Sequence, residues 1–106
     1  MNNLRLPEHC QTMSDLRDQI DAIDVELIKL LVLRSGYIDR AVDLKKIEQL
    51  PARTTDRVAE VLNKVSATAA KLGLDEGLAR TLWGELIEWS IQREIVELGE
   101  GVPPAN

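Results

Sequence analysis

The stretch IDVELIKLLVLRSGYIDRAVDLKK, residues 23–46, decides the fold because its apolar residues recur at helical intervals. Steps of three and four residues are typical of a helix face that packs against a core. This stripe consists of Ile23, Leu27, Leu30, Tyr37, Ala41 and Leu44. Two cations interrupt the pattern, since Arg34 follows Leu30 in the stripe and Lys45 lies four residues past Ala41. A cation on an inward helix face is costly unless an anionic group meets it.

Helical periodicity extends over most of the chain without strand-like alternation, which predicts an all-α fold of three helices. The first is predicted to begin near Ser14 and to reach about Lys46, before a loop that contains Pro51. At about 1.5 Å per residue this helix is roughly 48 Å long. A compact domain of this chain length is only about 34 Å across. Part of the stripe would stay uncovered, so we predict an intertwined homodimeric helical bundle in which two long helices pack on each other.

Two shorter helices follow the loop. The second is predicted to begin with Thr54 or Thr55 as its N-cap and to end at Gly73, and the third to begin after Asp75. The predicted core face of the second helix carries Val58, Val61, Leu62, Val65, Ala69 and Leu72; that of the third carries Leu78, Leu82, Leu86, Trp89 and Ile95. The predicted organisation is a leader over residues 1–13, a helical domain over 14–98 and a flexible tail over 99–106.

Composition narrows the classes of function. A net charge of −5 argues against a nucleic-acid or anionic-membrane surface, because both require a basic face. A single cysteine, Cys10, cannot form an internal disulfide, and no cluster of metal ligands is seen. The N-terminus lacks the apolar segment of a signal peptide, so we expect a cytoplasmic protein.

The two cations of the stripe could share one small anionic ligand. Arg34 and Lys45 are 11 residues apart, about three helical turns, so both project from one side of the helix at a separation of about 16 Å. Alternatively, such cations form internal salt bridges, with Glu48, Asp56 or Glu94 as partners, or extend into water.

Other helices also bring polar groups inward. The third helix places Ser90 and Glu94 one turn apart on a line with Trp83 and Ile87, and Arg57 lies near the start of the second helix. Several inward polar groups indicate a pocket rather than an isolated ion pair.

Arg17 does not fit a site within one chain. It precedes Arg34 by 17 residues, about 25 Å along the helix, so the two cannot hold one small ligand. In an antiparallel helical dimer the Arg17 of a second copy could arrive there instead. The alternative is a solvated arginine that pairs with Asp21.

The segment LRDQIDAIDVELIKLLVLRSGYIDRAVDLKK, residues 16–46, closely resembles the first helix of the all-helical chorismate mutases and of the related isochorismate-pyruvate lyases. TTDRVAEVL and LWGELIEWSIQRE resemble their second and third helices. The resemblance covers about residues 14–97. It implies an intertwined dimer with two active sites, each of which takes one arginine from the other subunit.

The resemblance also implies a role for individual residues. Arg17 would be the arginine from the other subunit, Arg34 and Arg57 would bind substrate carboxylate, and Lys45 would donate to the ether oxygen and a carboxylate. Glu94 would donate to the same ether oxygen, for which it must carry a proton. The ring end of the substrate and the pocket wall would be contacted by Ser90, Ile87 and Ile91.

The implied reaction is the intramolecular Claisen rearrangement of chorismate to prephenate, which needs no nucleophile, metal or cofactor. Val58 and Thr54 stand where many mutases have acids, one of which contacts the substrate hydroxyl. The main alternative is therefore an isochorismate-pyruvate lyase, which forms salicylate and pyruvate. More distant alternatives are an enzyme for an amino-substituted chorismate and a non-catalytic dimeric binding module, for which Arg34, Lys45 and Arg57 would be internally paired.

Overall fold

The computed structural model describes residues 4–99 of the 106-residue chain. Within that range the chain forms no strand, and its elements are a short 3-10 helix, Pro7–His9, followed by α1 (Met13–Glu48), α2 (Thr55–Leu72) and α3 (Glu76–Leu98). The predicted all-α fold of three helices is confirmed, and its predicted helix ends lie within two residues of those observed. No helix in this part of the chain has the length and apolarity that a membrane crossing requires. Most of the predicted tail, from residue 100 onward, lies outside the described residues, as do residues 1–3 of the predicted leader.

The described residues divide after Tyr37 into two compact units, and α1 runs through the boundary. In the N-terminal unit, α1 begins where the Thr12 hydroxyl accepts a hydrogen bond from the Asp15 N–H at 3.0 Å, as an N-cap side chain does. Arg5 forms an ion pair with Asp15 at 3.2 Å, and its backbone N–H donates to the Gln19 side chain at 2.8 Å. The segment before α1 is therefore bonded to the first turns of that helix.

The C-terminal unit contains the end of α1, the loop over residues 49–54, and helices α2 and α3. Arg80 of α3 donates to the Ser66 hydroxyl of α2 at 2.8 Å and to the Leu62 carbonyl at 3.3 Å. The buried hydrophobic residues are Val42, Ala52, Ala69, Ala79, Ile87 and Ile91. All buried residues in the described range belong to this unit.

The predicted core face of α3 is partly wrong. Leu78, Leu82 and Trp89 are each close to half exposed. The buried face of α3 carries Ala79, Ile87, Ser90, Ile91 and Glu94 instead. The physical reason is that α3 has apolar residues on two faces. The face that contains Ser90 and Glu94 is the one that packs within the unit.

The apolar stripe of α1 is also exposed in the single chain. Its residues Leu27, Leu30 and Tyr37 each show more than half of their surface to solvent, and Leu72 at the end of α2 does the same. This exposure agrees with the prediction that the chain's own helices leave part of the stripe uncovered.

Two helices end in the same hydrogen-bonded motif with different residues at the critical position. At the end of α2, Gly73 has φ 91° and the Leu74 N–H donates to the Ala69 carbonyl at 2.8 Å. At the end of α1, Gln49 has φ 59° and the Leu50 N–H donates to the Lys45 carbonyl at 2.9 Å. Both have the six-residue closure of a Schellman motif, which favours glycine because a side chain is strained at positive φ.

Gln49→Gly is expected to raise the free energy of unfolding by roughly 0.5–1 kcal/mol, because the relieved left-handed strain of about 1–2 kcal/mol exceeds the added freedom of the unfolded chain. The reciprocal Gly73→Gln should destabilise. Urea unfolding followed by circular dichroism measures both. A Gln49→Gly variant no more stable than the parent would contradict the strain at this position.

Candidate active site

The centre of the candidate site is a buried ion pair between α1 and α3. The Lys45 ammonium lies 2.6 Å from Oε1 of Glu94 and also donates to the Ala52 carbonyl at 2.7 Å. Only 18% of the Lys45 side chain and 5% of the Glu94 side chain is exposed. Charges this far from water are tolerated when they are paired and hydrogen-bonded, as here.

An apolar wall adjoins the pair. Ile87 and Ile91 of α3 form a buried cluster with Ala52 of the loop, and Val58 of α2 packs against it. Ile87, Ile91 and Glu94 follow one another at steps of four and three along α3, so they share its buried face. The polar pair therefore lies beside an apolar surface contributed by the loop, α2 and α3.

Ser90 belongs to the same buried face of α3. Its hydroxyl donates to the Leu86 carbonyl one turn earlier, at 2.9 Å. This is a common local bond of serine in a helix. The structure thus brings five of the predicted site residues into the C-terminal unit's buried region: Lys45, Ile87, Ser90, Ile91 and Glu94.

The predicted arginines are placed differently. Arg57, in the first turn of α2, is exposed and forms an ion pair with Glu60 at 2.6 Å. Its hydrogen bond to Glu60 is the main cause that holds the pKa of that carboxyl below its usual value. Arg17 is exposed and Arg34 half-buried, both in the N-terminal unit. The ligand-binding roles of these three arginines stay predictions.

The alternative of an internal salt bridge is correct for Lys45, with Glu94 as its partner among the three acids considered. Two cavities of the C-terminal unit lie elsewhere. One, of about 650 Å³, is lined by residues that include Asp39, Lys46 and Arg93. An apolar one of about 320 Å³ lies between α2 and α3, beside Trp83. Neither is lined by Lys45 or Glu94.

Four residues of the loop and α3 were not predicted as part of the site: Ala52, Arg53, Glu88 and Gln92. The Ala52 carbonyl accepts from the Lys45 ammonium, and Nη2 of Arg53 donates to both carboxylate oxygens of Glu88 of α3, at 3.0 and 2.9 Å. Gln92 donates to the same Glu88 carboxylate at 2.8 Å. The hydrogen bonds from Gln92 and Arg53 lower the pKa of Glu88. A backbone carbonyl leaves no signature in sequence, and Arg53 and Glu88 are 35 residues apart, beyond the reach of helical spacing rules.

The three helices, with a lysine–glutamate pair buried beside an apolar wall, define an all-helical protein whose candidate site combines a buried charge pair with an apolar surface. Residues 16–95 match the chorismate mutase type II family, and the chain belongs to this family. The family predicted from the sequence motifs is confirmed.

Two relatives differ in the activity that their names state. The isochorismate pyruvate lyase of Pseudomonas aeruginosa is 32% identical over 93 residues, which cover 87% of this chain and 90% of that protein. The 4-amino-4-deoxychorismate mutase of Streptomyces pristinaespiralis is 28% identical over 89 residues, which cover 84% of this chain and 69% of that protein. One relative is thus named as a lyase and the other as a mutase.

Lys45→Met is expected to lower the free energy of unfolding by about 3 kcal/mol, because it removes one partner of a buried ion pair and leaves the Glu94 carboxylate uncompensated. The double variant Lys45→Met/Glu94→Gln should recover much of this loss, which a double-mutant cycle would register as coupling. Urea unfolding at one fixed protein concentration measures each variant.

The matched control is Arg93→Gln, at the exposed pair in which Arg93 Nε lies 2.6 Å from Asp39 Oδ1. Exposed pairs contribute little, so this variant should unfold close to the parent. Equal effects of Lys45→Met and Arg93→Gln would show that burial of the lysine–glutamate pair has no energetic consequence.

Proposed function

We propose that this protein is a chorismate mutase, which rearranges chorismate to prephenate. The observation that carries the proposal is the buried contact of 2.6 Å between Lys45 and Glu94 beside the apolar wall. Membership of the chorismate mutase type II family supports the same class of substrate.

The rearrangement is intramolecular, so catalysis depends on holding a compact conformer and on stabilising the negative charge that develops on the ether oxygen. An ammonium has three N–H donors, and Lys45 directs two of them to Ala52 and Glu94. The third would be given to the ether oxygen. Glu94 would donate to the same oxygen only when it carries a proton, because a carboxylate would repel the developing charge. A wall of low polarity strengthens both interactions.

The two carboxylates of the substrate require further cations. Arg34 would supply one, as the resemblance to the chorismate mutases implies. Arg57 would supply another after a substrate carboxylate replaces its present partner Glu60, at an exposed pair that costs little to separate. Arg17 would come from a second copy of the chain.

A homodimer is part of the proposal, and the exposed apolar surface of α1 supports it. Before Ile38, α1 exposes large apolar side chains at eleven positions: Met13, Ile20, Ile23, Val25, Leu27, Ile28, Leu30, Leu31, Val32, Leu33 and Tyr37. An apolar surface of this extent marks an interaction site. A second copy offers a matching surface, because a two-fold interface brings the same patch from both chains.

An isochorismate-pyruvate lyase is the second candidate. The relative of that name from Pseudomonas aeruginosa matches 90% of its own length, and Val58 packs on the apolar cluster where an acid could have met the substrate hydroxyl. Without that acid, recognition of the chorismate hydroxyl must come from elsewhere. The same cations and wall could promote elimination of pyruvate.

Two further candidates are weaker. An amino-substituted chorismate carries an ammonium group, and the apolar Val58 offers it no counter-charge, although one relative is named for that activity. A non-catalytic module accords with the internal pairing of Lys45 and Arg57. Such pairing is also what an enzyme of this kind needs before its anionic substrate arrives.

Purified protein supplied separately with chorismate and isochorismate should form prephenate from the first. Detection of prephenate, salicylate and pyruvate by chromatography distinguishes the candidates, and Lys45→Met serves as the inactive control. Pyruvate from isochorismate with chorismate left untouched would make the protein a lyase. Turnover of neither substrate would contradict both the mutase and the lyase proposals.

If Arg17 acts in the site of the partner subunit, two inactive variants should regain activity when they form mixed dimers. Arg17→Ala and Arg34→Ala should each abolish most activity. When equal amounts exchange subunits, half of the dimers combine both chains and have one intact site, so about one quarter of the parental activity should return. A mixture as inactive as its components would show that Arg17 does not act across the dimer.

A further inference from the structure

The loop over residues 49–54 contacts both ends of Lys45. The Leu50 N–H donates to the Lys45 carbonyl at 2.9 Å, and the Ala52 carbonyl accepts from the Lys45 ammonium at 2.7 Å. The position of this loop therefore determines where the ammonium lies relative to Glu94.

Two contacts fix the loop on α3. Ala52, only 2% exposed, packs with Ile87 and Ile91. The next residue is Arg53, whose Nη2 donates to both carboxylate oxygens of Glu88. Oε2 of Glu88 also accepts from Gln92, one turn later on α3. The apolar contact anchors one point and leaves rotation free; the ion pair adds a second point of attachment to α3.

We propose that Arg53 and Glu88 are positioning residues of the active site: their ion pair orients Ala52, and the Ala52 carbonyl places the Lys45 ammonium against Glu94. This inference rests on the proposed function. Neither residue touches substrate in this proposal, and both act through Lys45.

The energetic logic follows from the flexibility of lysine. Its four-carbon side chain has many rotamers, and the ammonium binds as a point charge without a preferred plane. A carbonyl at 2.7 Å reduces that freedom, provided that the carbonyl itself is held. Displacement of a catalytic group by about 1 Å can cost on the order of 100-fold in rate. A partial loosening of the loop should cost less.

The alternative is that Arg53 and Glu88 form an ordinary surface ion pair. A second pair on α3 provides a matched comparison. The side chains of Arg53 and Glu88 are 46% and 48% exposed, and those of Arg93 and Asp39 are 47% and 52% exposed. Each arginine contacts both oxygens of its carboxylate, Arg53 through Nη2 alone and Arg93 through Nε and Nη2. Asp39 lies on α1 itself and not in the loop.

The kinetic test compares Arg53→Gln and Glu88→Gln with Arg93→Gln and Asp39→Asn, in the full chain and with the substrate that the parent converts. Arg53→Gln and Glu88→Gln should each lower kcat about tenfold with a smaller change in KM, because the arginines proposed to bind the carboxylates are unchanged. Arg53→Lys should lower kcat less than Arg53→Gln does. The double variant should be no worse than either single variant, since both remove one interaction.

The control pair should leave kcat within about twofold of the parent. An equal fall of kcat in Arg93→Gln, or an unchanged kcat in Arg53→Gln, would overturn the positioning role. Additive losses in the double variant would also contradict it.

Amide hydrogen exchange tests the loop without turnover. The Leu50 amide, which donates to the Lys45 carbonyl, should exchange at least several-fold faster in Arg53→Gln and at the parental rate in Arg93→Gln. Unchanged exchange in Arg53→Gln would show that the pair does not hold the loop. If the parent converts neither chorismate nor isochorismate, the proposed function fails, whereas the exchange result still decides whether Arg53 and Glu88 fix the loop.

Discussion

The buried ion pair between Lys45 and Glu94 is the interaction on which the architecture of the C-terminal unit depends. Two opposite charges that have left water must keep their partners, since loss of either exposes the other to the full cost of burial. This requirement fixes the end of α1 against the last turns of α3. It also fixes the intervening loop, because the ammonium needs the Ala52 carbonyl as well as the carboxylate. The polar contact thus adjoins the buried cluster of Ala52, Ile87 and Ile91, since Ala52 belongs to both.

The loop over residues 49–54 has a strained backbone that several contacts hold in place. Gln49 adopts a left-handed conformation that glycine would adopt at lower cost, and Pro51 restricts the backbone two residues later. Strained backbone persists only where its surroundings over-determine it, and it often lies near functional sites. Here the surroundings are the Schellman closure onto Lys45, the burial of Ala52 and the ion pair of Arg53. The segment that carries the strain is the same one that orients the ammonium.

The sequence predicts features that depend on neighbouring residues better than features that depend on residues far apart in the chain. Helix ends depend on local signals such as the Asp75 cap, which accepts from the Leu78 N–H at 2.8 Å, and these predictions are confirmed. The inward line of Ile87, Ser90 and Glu94 also depends on spacing along one helix and is correct. Which of two apolar faces of α3 packs inward is a tertiary choice, and the prediction for it is partly wrong.

Interactions between residues far apart in the sequence are also predicted poorly. Glu94 was one of three acids considered for Lys45, since charge alone does not select a partner 49 residues away. The pair of Arg53 with Glu88 was missed for the same reason. Backbone groups such as the Ala52 carbonyl are present at every position and give no sequence signal.

One property of α1 connects the proposed assembly with the proposed chemistry. The buried residues of the described chain all follow Tyr37, whereas the preceding part of α1 exposes apolar side chains and carries Arg17 and Arg34. A dianion needs more positive charge than Lys45 supplies, because Glu94 already occupies one face of that ammonium. A second copy that covers the exposed apolar residues would bring its own Arg17 with the same helix. Burial of the apolar surface would then supply the free energy that holds the additional cation in place. On this view the length of α1 beyond its own core is a requirement of the site and not an excess of the fold.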